Sequence, residues 1–129
     1  MTSTVLIVGF GSALGGMTRF WVSGYINEKA GPVFPWGTMT VNVVGSFVIG
    51  LIATLTAPEG RWMVSGATRD FAMLGFLGGF TTFSSFSLNT LNLLIDGEWL
   101  YAGANAIVSL VACLIAVWAG HTIGKLINL

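Results

Sequence analysis

Charge is scarce in this sequence. Only 8% of its 129 residues are Asp, Glu, Lys or Arg, against about a quarter in a soluble globular domain. More than half, 54%, are hydrophobic, and mean hydropathy is +0.84. Such a composition belongs to a membrane protein. Five basic residues balance five acidic ones, which leaves no basic surface for nucleic acid. Cys113 is the single cysteine and lies in an apolar run, so there is no disulfide framework and no zinc site. His121 stands alone near the C-terminal end, with no carboxylate or thiol at ligand spacing, and no hydrolytic or metal-dependent constellation forms around it. The Met1-Thr2-Ser3-Thr4 start lacks the basic stretch of a cleaved signal peptide, and the first apolar run is long enough to stay in the membrane.

What remains is long apolar runs. Spanning the hydrocarbon takes about 20 mostly apolar residues, and four stretches qualify, at roughly 5–26, 36–57, 71–95 and 99–126. Residues 1–129 therefore read as one all-α integral membrane domain of four transmembrane helices. The connectors Asn27-Glu28-Lys29-Ala30-Gly31-Pro32, Pro58-Glu59-Gly60-Arg61 and Asp96-Gly97-Glu98 hold the turn residues and most of the charge. Trp36, Trp62 and Trp99 fall at or near span ends, where an interfacial belt puts them.

Orientation is weakly specified. Arg61, Arg69 and Lys125 share one side of the membrane, against Lys29 and Arg19 on the other, a small positive-inside bias that permits insertion both ways and antiparallel pairing. Four helices also leave little room for a hydrated path, so a transporter of this size calls for a second copy. The pairs Gly11/Gly15, Gly75/Gly79 and Gly120/Gly124 have the spacing for close helix approach.

The third span carries the most informative segment, Gly75-Phe76-Leu77-Gly78-Gly79-Phe80-Thr81-Thr82-Phe83-Ser84-Ser85-Phe86-Ser87. No proline falls inside any span, so its glycines are expected to break this helix in the middle. Lipid offers an unpaired backbone group no partner, and irregular backbone at that depth survives only where protein buries it or it lines an aqueous path. Polar stripes at four-residue spacing accompany it: Thr38, Asn42 and Ser46 on the second span, Tyr101, Asn105 and Ser109 on the fourth. Either stripe alone reads as interhelical hydrogen bonding; together with a broken span they read as a lined path. Phe76, Phe80 and Phe83 alternate with hydroxyls. Ring edges favour an anion and ring faces a cation, and the sequence leaves both open.

Charge tips the balance. Arg19 is the only charged side chain more than a turn inside a span, a functional residue unless it snorkels to the nearby helix end. No carboxylate lies deep in any span, while Asp70 and Asp96 only flank the third. A cation pump or proton-coupled exporter needs a buried carboxylate, so the electrostatics favour an anion. The Gly9-Phe10-Gly11 run imitates a dinucleotide fingerprint, but no βαβ pattern follows it.

At Gly-Gly-Met-Thr-Arg-Phe (15–20), Gly-Thr-Met-Thr-Val-Asn-Val-Val-Gly-Ser-Phe (37–47) and the segment at 75–87, the chain resembles the small bacterial fluoride channels, the Fluc or CrcB family, over essentially its whole length. The resemblance implies an antiparallel, dual-topology homodimer in the bacterial inner membrane, with two pores and a sodium ion at the dimer centre. It implies passive export of fluoride, and so fluoride resistance. By the same resemblance, Asn42 turns its amide to the ion, Phe80 and Phe83 offer ring edges, and Thr81, Thr82 and Ser84 form the hydroxyl-rich stretch. Thr38, Tyr101 and Ser109 belong to the polar lining, Arg19 makes the vestibule electropositive, and Gly75 and Gly78 present carbonyls to sodium. Asn105 falls where a small hydroxyl residue is expected. Fluoride is strongly hydrated, so good donors at close range must replace its water without holding it too firmly. Two rival classes are a four-helix multidrug exporter and a non-transporting assembly subunit.

Overall fold

The computed structural model describes Met1–Leu129 and is entirely helical. α1 (Thr2–Ala30) and α2 (Trp36–Leu55) are continuous. The third span is built from α3 (Gly66–Asp70), a π-helical segment (Phe71–Leu77), one turn α4 (Gly78–Phe80) and α5 (Phe83–Ile95), and α6 (Trp99–Asn128) closes the chain. Four stretches, Thr2–Ala30, Trp36–Leu55, Gly66–Ile95 and Trp99–Asn128, are long and apolar enough to cross a membrane. Large side chains such as Phe20, Trp21, Leu100 and Trp118 lie exposed on the outside, as a lipid-facing surface requires.

Glycine sets the spacing between helices. α2 and α6 share the largest interface, and a Cβ at Gly120 would lie 2.1 Å from the Phe47 carbonyl oxygen, one at Gly50 2.3 Å from that of Val117. α1 packs on the first half of the third span in the same manner. A Cβ at Gly15 would lie 2.0 Å from the Phe76 carbonyl oxygen, and one at Gly79 2.4 Å from that of Ser12. Gly11, Gly15, Gly75 and Gly120 are buried inside a single chain. The spacing motifs thus serve intrachain packing, and oligomerisation does not follow from them.

The third span is bent, but its glycines do not break it. Gly78 is helical, at φ −62° and ψ −37°. The interruption comes at Thr81 (φ −87°, ψ 158°) and Thr82 (φ −156°, ψ 113°), both extended. Glycine here permits close approach to α1; hydroxyl residues, with their own claims on backbone groups, occupy the break.

The ends are closed by local hydrogen bonding. Gly97 N–H bonds the Leu94 carbonyl at 3.1 Å and Glu98 N–H that of Leu93 at 2.8 Å, with Gly97 at φ 77°, a Schellman cap on α5. At the opposite face Arg61 donates from Nη1 to the Ile127 carbonyl at 2.8 Å, a cation on the carbonyl end of α6.

Candidate functional site

The break is held from outside the third span. Asn42, on α2, accepts the Thr82 N–H on Oδ1 at 2.7 Å and donates from Nδ2 to the Thr82 carbonyl at 3.0 Å. In an unbroken α-helix the Thr82 N–H would bond the carbonyl of Gly78. The amide of Asn42 substitutes for the helix on both sides of Thr82. It still keeps one Nδ2 hydrogen uncommitted, since an amide carries two. Thr81 turns inward to its own helix end: its N–H and its Oγ1 each bond the Leu77 carbonyl at 3.0 Å. Thr82 then caps α5, its Oγ1 accepting the Ser85 N–H at 3.2 Å.

Two cavities flank this clamp. The larger, about 290 Å³, brings together Asn42, Ser46, Gly78, Thr81, Thr82, Phe83 and Ser109, with Gly45, Ile49, Leu77, Phe86, Leu110 and Cys113 completing the wall. The smaller, about 190 Å³, lies on the other side of Thr82 and is lined by Arg19, Phe20, Ser23, Thr38, Val41, Thr82 and Ser85. Arg19 is the only charged side chain on either wall. Its pocket extends to Thr82 at the break.

The expected aromatic and remaining residues have differing surroundings. Phe80 is buried and stacks on Phe76, with ring centroids 6.1 Å apart and planes 12° from parallel. Phe83 is 76% exposed and packs against Phe86 instead, at 5.3 Å. Within one chain the two phenylalanines therefore occupy different surroundings. Tyr101 makes an edge contact with Phe34 at 6.0 Å and lines neither cavity. Ser84 is exposed, its hydroxyl 3.3 Å from that of Thr82. Gly75 is buried, and its carbonyl accepts the Ser12 hydroxyl at 3.3 Å.

Asn105 gains a definite place. It donates to Thr90 Oγ1 at 2.9 Å and accepts the Ser109 hydroxyl at 3.1 Å, while Thr90 donates to the Phe86 carbonyl at 2.9 Å. This buried relay ties α5 to α6, the interhelical use of polar residues in membranes. Phe86, Ser85 and Cys113 were not singled out as lining residues from sequence; the spacing of Ser46 four residues from Asn42 was the available signal for the second-span wall.

Comparison with known proteins agrees with this architecture. Residues 6–121 match the family model described as CrcB-like protein, Camphor Resistance (CrcB). A protein of Opitutus terrae named fluoride-specific ion channel FluC is 60% identical, over 92% of this chain and 90% of its own length. Proteins of the same name from Methylocella silvestris and Rhodospirillum rubrum are 54% and 53% identical, covering 95% and 97% of this chain and 94% and 97% of their own lengths.

Proposed function

This chain belongs to the CrcB family, and from that premise we propose that it is a fluoride-selective channel giving passive export of the ion. One observation carries the reading most: the Asn42 clamp holds a helix break between an arginine pocket and a mainly apolar cavity that has a few amide and hydroxyl groups and an exposed phenylalanine on its wall. Arg19 raises the local concentration of an anion at the entrance. Amide and hydroxyl donors replace its hydration, and the edge of Phe83 adds weak positive potential without tight binding. A larger, less strongly hydrated anion such as chloride gains less from those donors and fits a narrow path less well. Neither cavity is lined by a carboxylate, so nothing observed favours the exporter alternative.

The complete channel is a dual-topology, antiparallel homodimer in the bacterial inner membrane, with lipid around it. One chain leaves Phe83 and much of the cavity wall open, and a partner covers them. Family kinship further implies a structural sodium ion at the centre of that dimer. The donor chemistry fits at Gly78, whose carbonyl loses its α-helical Thr82 partner to Asn42. A carbonyl so freed suits a hard cation. Gly75 fits less well, since its carbonyl already accepts both the Ser12 hydroxyl and the Gly78 N–H.

The test is efflux from proteoliposomes loaded with fluoride or chloride, with valinomycin clamping the potential. Fluoride leaves rapidly and chloride stays. Asn42→Ala and Phe80→Ile each reduce fluoride flux severely in protein that still assembles. No flux of either ion from assembled protein, or unchanged flux in both variants, overturns the reading.

A further inference from the structure

The polar groups around the larger cavity divide by where their hydrogens go. The Thr81 hydroxyl donates to the Leu77 carbonyl, Thr82 Oγ1 donates to Ser85 Oγ at 3.2 Å, and Ser109 Oγ donates to Asn105 Oδ1. Each of these hydroxyls has only one hydrogen, already spent on an acceptor away from the cavity. They present lone pairs to its interior, which repel an anion.

Two donors remain. Asn42 keeps its second Nδ2 hydrogen, since one alone is bonded to Thr82. Ser46 lies one turn further along the same face of α2, lines the cavity and finds no hydrogen-bond partner within the chain. Most helical hydroxyls here bond the carbonyl four residues back, as Thr18, Thr54, Thr56 and Thr90 do at 2.7–2.9 Å. Ser46 does not. Its oxygen is also not among the occluded polar atoms lacking a partner, so it is reachable from the cavity.

We propose that Ser46 is an anion-contacting residue, its hydroxyl binding fluoride together with the free amide hydrogen of Asn42. The inference rests on the fluoride-channel reading and adds to it a residue that determines ion affinity. Residues 42 and 46 lie about 6 Å apart along the helix axis, so one small anion between them meets both donors. Gly45, beside Ser46, keeps this wall close to the break: a Cβ there would lie 2.2 Å from Thr81 Cγ2.

The experiment is fluoride efflux from proteoliposomes across a range of fluoride concentrations, with wild type, Ser46→Ala, Ser46→Thr and Ser46→Cys. Ser46→Ala raises the half-saturating fluoride concentration about tenfold, as removal of one charge-assisted hydrogen bond does. Ser46→Thr, which keeps the hydroxyl, stays near wild type. Ser46→Cys, close in size but a weak donor, follows Ser46→Ala and provides the reading should the alanine variant misassemble. Wild-type half-saturation in both Ser46→Ala and Ser46→Cys overturns the assignment, even where maximal flux falls, because a purely structural role lowers throughput alone. Fluoride flux in wild type with unaffected variants overturns this inference only; no flux in wild type overturns the channel reading with it.

Discussion

The two halves of the third span behave in opposite ways. Gly66–Phe80 contains all of the span's glycine and stays helical, one stretch of it as a π-helix against α1. Thr81 and Thr82, which have side chains and ordinary helix-compatible stereochemistry, are where the helix stops. Flexibility does not break this helix; competition for its backbone does. At the glycine seam the chain stays helical, with one π-helical stretch, and the missing side chains let the neighbouring backbone arrive where a Cβ would be. At the break, Asn42 takes both polar groups of Thr82, and the Thr82 hydroxyl restarts the helix by capping it. One device brings helices together, and the other opens a site between them.

The comparison is broken most severely at the seam. Gly15→Ala puts a methyl group 2.0 Å from the Phe76 carbonyl oxygen and 2.9 Å from the Phe80 nitrogen, and both obstacles are backbone. Neither can rotate away, so α1 must separate from the third span. The cost lies at or beyond the ~3 kcal/mol upper end usual for overpacking. Loss of the monodisperse, folded species in detergent size-exclusion chromatography is the expected outcome. A stable Gly15→Ala with wild-type flux would show that α1 is not held against this span.

A smaller and more selective effect belongs to the break. Asn42→Asp keeps the acceptor for the Thr82 N–H but replaces the donor to the Thr82 carbonyl with a carboxylate oxygen. Thr82 is 8% exposed, and one unpaired buried group costs roughly 1–3 kcal/mol. The added negative charge also faces the cavity from which an anion must be drawn. Helix content by circular dichroism and assembly stay near wild type, while fluoride efflux is lost. If efflux survives, Asn42 serves the backbone alone, and the anion path runs elsewhere.

Legibility from sequence follows the same division. Four spans were readable because hydropathy over about 20 residues is a bulk property of the chain. The segment at 75–87 was recognisable as irregular because lipid tolerates so little exposed backbone. The point of interruption was misplaced onto the glycines: propensity describes a residue by itself, whereas Thr82 is held extended by a side chain about 40 positions upstream. The small-residue pairs were visible as close-approach motifs, but whether the partner helix belongs to the same chain depends on tertiary pairing. Asn105 stood in the fourth-span stripe where a small hydroxyl residue was expected, its role undetermined, and its partner Thr90 on α5 could not be named from spacing on α6. Ring direction was equally out of reach, since Phe80 and Phe83 differ in burial by where the break falls between them.

The smallest effect sharpens the distinction between having glycine and using it. Gly16 follows Gly15 directly, yet a Cβ there would meet nothing within 4 Å. In a single chain Gly16→Ala therefore exchanges a weak helix former for the best one without contact cost, a gain of about 0.5–1 kcal/mol. Thermal or denaturant stability in detergent should rise slightly, with fluoride flux unchanged, beside the collapse of Gly15→Ala one position away. The site also reports on the proposed dimer. A loss of stability that appears only in assembled protein would mean that a second subunit's helix approaches α1 at Gly16, on the face this chain leaves open. The adjacent glycines would then serve two seams, one within the protomer and one between protomers.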